Sequence, residues 1–234
     1  MVYLNIPNGT FARTGQAYDP LPSYLYSIPK LTILRTPIDY GPVMKLTPSL
    51  QVEKDPSTII ITVDDDKLYD SEMVKTLVWH AEHDPFTAFG YCGWAFMWVF
   101  EPHKVVPAYA PISAMRGSDG LYTDVLQAVC GNAYRRSFFP QDEQKLALLN
   151  QPPPPCFTTD DIWIAGTLAA SGIRRVLVPV VIMPTMKTKT LKDNRATALS
   201  TINAANMNDI KCIRAVEKRY EMEWPTARSF KFTD

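Results

Sequence analysis

The residues best suited to chemistry are three consecutive carboxylates, Asp64, Asp65 and Asp66, which follow the apolar run TIIITV. Side chains alternate along an extended chain, so Asp64 and Asp66 should share one side and Asp65 the other. Two carboxylates on one side repel each other and raise each other's pKa unless a cation lies nearby. Oxygen ligands of this kind suit a hard divalent cation, Mg²⁺ or Mn²⁺, which keeps open positions for a substrate diphosphate. The competing reading is a solvated turn that caps the next helix, since Asp is common in such turns. The place of the triplet at the carboxyl end of a strand favours a site, because ligands of open α/β sheets bind there.

A second acidic pair, Asp160 and Asp161, lies far along the chain in FTTDDIWIAGTLAASGI. Thr158, Thr159 and Asp160 are good N-cap types, so the competing reading is that the pair only caps a helix and favours its dipole. The apolar Ile162, Trp163 and Ile164 that follow argue for a partly buried helix start. A buried carboxylate needs a reason, and a base facing the same cleft would supply one. The four cysteines form no CxxC pair, and the three histidines complete no zinc pattern with them. Free thiols in a reducing cytosol are therefore expected. His80 and His83 read as an exposed helix face.

Whatever positions these groups must be globular: 46% of the 234 residues are apolar and 21% charged, enough for one α/β domain with a full core. Lys+Arg and Asp+Glu are both 24, so the chain has no general electrostatic hold on nucleic acid. No apolar run is long enough to span a membrane, and the N-terminus lacks a secretory pattern. A cytoplasmic protein is the expectation.

The pattern alternates strand and helix. Strands are expected at 2–6, 31–34, 58–63 (buried and parallel), 86–91, 94–99 and 176–182, and weaker ones at 104–109 and 122–128. Gly41-Pro42 should open a helix to Leu50 that Pro48 bends. Helices are expected at 70–83 and at 161–171, the latter closed by Gly172, with a long amphipathic helix or helix pair over 194–219. The expected class is α/β, with a mixed, mostly parallel central sheet and helices on both faces.

The two acidic clusters, with what lies between them, resemble metal-dependent glycosyltransferases of the GT-A type. In RTPIDYGPVMKLTPSLQVEKDPSTIIITVDDDKLY the similar residues are Asp39, Gly41, Pro42, Lys45, Leu46 and Asp64 to Asp66. VLQAVCGNAYRRSFF resembles the acceptor-side segment, with Gly131 and the Tyr134-Arg135-Arg136 run, and DDIWIAGTLAASGI the segment that supplies the catalytic base. The match covers roughly residues 31–178. It looks most like the small N-terminal glycosyltransferase domains encoded by large chlorella viruses.

The resemblance implies a single GT-A domain over 1–234: a nucleotide-binding part (1–66), an acceptor and catalytic part (67–185) and a C-terminal helical appendage (186–234). The chain could be one domain of a longer protein, in host cytoplasm if viral. The implied donor is a UDP-sugar, of rhamnose or glucose, and the acceptor a glycan or glycoprotein. Pro7, Thr10, Arg13, Asp39, Lys45, Asp64 and Asp65 would serve the donor, with Arg13 on phosphate, Asp39 at the base edge and Lys45 on the nucleotide. Asp66, with Asp64, would hold Mn²⁺ or Mg²⁺. Gly131, Asp160 and Trp163 would serve the acceptor. Asp161 would be the base of an inverting displacement, kept ionised by its helix N-terminus. No His follows His103, so the metal would lean on Asp66, the diphosphate and water. The rival functions are a sugar-nucleotide-forming nucleotidyltransferase, although NIPNGTFARTG is poor in glycine for a phosphate loop, and a non-enzymatic nucleotide-sugar-binding module.

Overall fold

The structure is a computed structural model that describes residues 1–12, 15–17, 19–101, 104–113, 121–178, 185–186 and 199–224. Its strands are β1 (Val2–Pro7), β2 (Leu31–Thr36), β3 (Ile59–Thr62), β4 (Lys67–Leu68), β5 (Thr87–Gly90), β6 (Cys92–Glu101), β7 (Lys104–Ser113), β8 (Leu121–Tyr122), β9 (Val125–Leu126), β10 (Asn132–Arg135), β11 (Arg174–Leu177) and β12 (Thr185–Met186). Its α-helices are α1 (Thr47–Val52), α2 (Met73–His83), α3 (Glu143–Ala147), α4 (Asp160–Ala170), α5 (Leu199–Asn206) and α6 (Asn208–Tyr220).

The central sheet has the order β3-β10-β5-β11-β8. Strand β10 is antiparallel to both β3 and β5, β11 is parallel to β5, and β8 is antiparallel to β11. The sheet is thus mixed rather than mostly parallel, and β3 has an antiparallel neighbour. The apolar run misled because it reports cover on both faces, whatever the direction of the neighbouring strand. Ile60 joins one core, whereas Ile59 and Ile61 pack against the other.

Period-two alternation divides the sheet between those two cores. Ile60, Ala88, Tyr134 and Leu177 face the larger, with Ile162, Trp163 and Leu168 of α4 and Ile213 and Val216 of α6. Phe89, Ala133 and Val176 face the smaller, with Met73, Leu77 and Ala81 of α2. Helices therefore cover both faces, as an α/β sheet requires. Strands β1 and β2 pair in parallel. β4 pairs with β12, and β6 forms a long hairpin with β7 while pairing at its start with β9.

Local signals explain the helix boundaries. The segment after Gly41 is a 3-10 turn (Pro42–Lys45) followed by α1, and the break falls at Leu46. Pro48 causes no bend: it sits in the first turn of α1, where a missing N–H costs nothing. Helix α4 ends in paired closing bonds, Gly172 N–H to Ala169 O and Ile173 N–H to Leu168 O, with Gly172 at φ 70°. The C-terminal helix pair is α5 and α6; residues 194–198 lie outside the described residues.

The cysteines correct the free-thiol expectation. Cys92 bonds Cys130, and Cys156 bonds Cys212. Sequence separations of 38 and 56 leave no local signature to read. No helix of the described residues is long and apolar enough to cross a membrane.

Candidate functional site

Lys45 is where the two acidic clusters meet. It ends the 3-10 turn before α1, and its Nζ lies 2.8 Å from Asp64 Oδ1 and 3.3 Å from Asp160 Oδ2. Burial is the strongest single influence on this amine and lowers its pKa. The charges of Asp160, Asp161 and Asp64 together outweigh it and leave Lys45 well above the ordinary lysine value. Lys45 is therefore a permanent cation joining the end of β3 to the start of α4, rather than a free phosphate contact. Asp160 is 6% exposed and faces Lys45, with Oδ2 making no hydrogen bond.

The triplet alternates as expected: Asp64 and Asp66 are half-buried and Asp65 is exposed. Asp64 has Oδ1 on Lys45 and its backbone N–H on the Tyr69 hydroxyl (2.8 Å). Asp66 keeps a buried Oδ1 without a hydrogen bond, and Lys67 Nζ lies 3.7 Å away. An orphaned carboxylate oxygen of this kind fits a single protein ligand to a cation that shares its other positions with diphosphate and water. Among the described residues, no three His, Cys, Asp or Glu side chains gather into a fuller metal cluster.

Asp161 stands in the first turn of α4, partly exposed beside its buried neighbour. Its Oδ1 accepts the backbone N–H of Ala128 at 3.1 Å. Burial, then the charge of Asp160, push its pKa up to about 8, against the opposing pull of Lys45 and Ala128. The expected low pKa is thereby overturned: the helix N-terminus is worth about 1 kcal/mol at most sites, and desolvation beside a like charge outweighs it. The Tyr134 hydroxyl lies close enough for the charges of Asp161 and Asp160 to raise its pKa, with burial the larger cause.

No protein-family model and no curated protein matches this chain. The case for a function therefore rests on the site itself.

Other expected site residues are placed less favourably. Trp163 is 1% exposed, with Nε1 donating to Leu149 O (2.9 Å) and its ring stacked near Tyr220. It has no free face for a sugar and belongs to the core. Gly131, at φ 95°, would bring a Cβ within 2.7 Å of Met73 Sδ, so packing under α2 explains the glycine without an acceptor. Asp39 spends both oxygens on backbone, Oδ1 on Gly41 N–H and Oδ2 on Ala12 N–H, each at 2.8 Å. That joins the loop after β1 to the turn before α1. Pro7 is buried at the end of β1, Thr10 is exposed, and Arg13 lies outside the described residues.

The Arg135-Arg136 pair is also structural. Arg135 donates to Ser57 O and Ala81 O. Arg136, 1% exposed, donates to the carbonyls of Leu50, Glu53, Phe139 and Pro140. On α2, His83 is exposed with Nδ1 2.7 Å from Trp79 O, as a solvated helix face would have it. Tyr69 and the Ala128–Cys130 turn escaped sequence reasoning. Tyr69 meets Val129 across a separation of 60 residues and Ala128 meets Asp161 across 33, and no spacing signals either contact.

Proposed function

We propose that this protein is a metal-dependent glycosyltransferase of the GT-A type. It would move a sugar from a UDP-sugar to a hydroxyl of a glycan acceptor, with inversion. One observation carries the reading: Lys45 brings the end of β3, with its acidic triplet, against the acidic start of α4. A donor side and a base side would then lie next to one another. The mixed sheet with helices on both faces is compatible with that fold class.

A bound Mn²⁺ or Mg²⁺ would supply charge neutralisation for the departing diphosphate. Asp66, whose buried Oδ1 makes no hydrogen bond, is the residue that would hold it. Asp64, fixed by Lys45, shapes the turn that presents Asp66. Asp161 has Oδ1 committed to Ala128, so Oδ2 is the atom that would take the acceptor proton as the hydroxyl attacks the anomeric carbon. Asp39 has lone pairs beyond the two backbone bonds, and these would suit the N–H of uracil.

Disulfides persist in oxidising surroundings, so Cys92–Cys130 and Cys156–Cys212 favour an oxidising compartment over the cytosol first expected. The deciding experiment incubates the protein with UDP-sugars and Mn²⁺ and follows free UDP, with and without glycan acceptors. Release of UDP that falls in Asp66→Asn and Asp161→Asn supports the transferase. Exchange of pyrophosphate would mark a nucleotidyltransferase instead, and tight binding without turnover across acceptors a binding module.

A further inference from the structure

Tyr69 stands between the two halves of the site. Its hydroxyl accepts the Asp64 N–H (2.8 Å) and lies 3.3 Å from Val129 O and 3.4 Å from Asp64 O. Val129 is the centre of the Ala128–Cys130 turn, whose first N–H grips Asp161. From Asp64 to Asp161 the chain of contacts is therefore one hydroxyl and one short turn.

That turn is held on its other sides. Cys130 is bonded to Cys92 at the root of β6. Asn132, 0% exposed, underlies it with its amide turned so that nitrogen meets carbonyls and oxygen meets donors. In that orientation it donates to Gln127 O (3.2 Å) and Gly131 O (3.1 Å) and accepts from Ala128 N–H (3.1 Å) and the Tyr134 hydroxyl (2.9 Å). The Ala128 N–H is thus shared between Asn132 and Asp161, and a small displacement of the turn decides which oxygen keeps it. A hydrogen bond weakens steeply as its angle and length depart from ideal, so the position of Val129 governs the bond to Asp161.

We propose that Tyr69 is a positioning residue: its hydroxyl fixes the Ala128–Cys130 turn against the Asp64 turn and so sets the Ala128 N–H on Asp161. The coupling concerns the base of the reaction proposed above, and it rests on that reading for its catalytic meaning. Its structural content stands apart from any activity. The phenol is suited to the task because burial pushes its pKa up to about 12, so it remains a donor at working pH.

The charges around Asp161 are Asp160 beside it on α4, Lys45 from the turn before α1, Asp64 beyond β3, and the neutral Tyr134 hydroxyl from β10. Against that fixed background, loss of the Ala128 bond removes one influence that favours the carboxylate. Tyr69→Phe should therefore raise the Asp161 pKa. Tyr91→Phe is the control: it deletes a buried hydroxyl that meets Met73 O at 3.3 Å in the same core cluster, with no bond to either turn.

The test is an infrared titration of the protonated Asp161 carboxyl band in the full chain, the band being identified by its loss in Asp161→Asn. The expected result is a midpoint moved to higher pH in Tyr69→Phe and unmoved in Tyr91→Phe. An unmoved midpoint in Tyr69→Phe overturns the proposal, as does an equal movement in both variants. In a parallel assay of UDP release, Tyr69→Phe should lower kcat about tenfold or more with donor KM little changed, as expected for a base slightly out of place. Absence of UDP release by the wild-type chain with every donor and acceptor, together with the shifted midpoint in Tyr69→Phe, would sink the transferase reading while upholding the Tyr69 coupling.

Discussion

Lys45 is closed in by carboxylates, so deleting its charge leaves Asp64 and Asp160 facing one another without a cation. Removing one partner of a buried ion pair costs about 3–5 kcal/mol. Lys45→Met should lose stability toward the lower end of that range, because the amine keeps some solvent contact. Urea unfolding at pH 7 measures the loss, with Lys45→Arg as the charge-keeping comparison. An equal loss in Lys45→Met and Lys45→Arg would mean that packing, not charge, is what Lys45 supplies.

Asp161 makes a second statement at this scale. Its pKa is raised in the folded chain, so between about pH 4 and 8 the folded state holds a proton that the unfolded state has released. Stability then falls as pH rises through that window and levels off above it. Asp161→Asn should remove this part of the slope and melt higher than wild type at pH 8. In the proposed transferase the same proton would block the base, so transfer should rise with pH through about 8 in wild type, and Asp161→Asn should lose about 10²–10⁴ in rate while keeping UDP affinity. Melting curves and transfer rates over pH 4–9 check both signs.

Among the elements, α4 carries the site and its packing is tight. A Cβ on Gly166 would come within 2.3 Å of Val216 Cγ1 on α6 and 3.2 Å of Trp224 Cζ3. Alanine gains about 1 kcal/mol over glycine in helix propensity. Forcing an extra carbon into a close-packed contact costs about 1–3 kcal/mol. Gly166→Ala should therefore be net destabilising, seen as a lower melting temperature. A higher one would show that α6 gives way easily. The start of α4 is fixed from the same side: Thr158 and Asn203 exchange bonds of 2.6 and 2.8 Å, and Asn208 adds one to Thr158 Oγ1. The C-terminal helix pair thus braces the segment that leads into Asp160 and Asp161.

Across the whole molecule, the disulfides tie remote segments to the two sides of Asp161. Cys130 closes the turn that grips it, and Cys156 lies just before α4, bonded to Cys212 on α6. Alkylation of the native chain without reductant should add no label, and after reduction it should add four, which intact mass resolves. Labelling of the unreduced, unfolded chain would contradict the pairing. Cys156→Ser with Cys212→Ser should cost about 2–5 kcal/mol in unfolding, since the cross-link constrains the unfolded chain over a separation of 56 residues.

What the sequence determined by itself was local. The alternation of Asp64 to Asp66 follows from the pleat of an extended chain. The close of α4 at Gly172 and the strand over the TIIITV run follow from turn chemistry and apolar pattern. Only the tertiary structure decided the rest. Strand direction is invisible to burial, so β10 entered between β3 and β5 unannounced. Arg136 was legible as a residue type but not as a core residue, because a side chain's surroundings come from other elements. The cysteine pairing and the Tyr69 contact join segments with no spacing rule. The pKa of Asp161 was misjudged for the same reason: a helix terminus is written in the sequence, whereas the desolvation and the neighbouring charges that outweigh it arise only when the chain has folded.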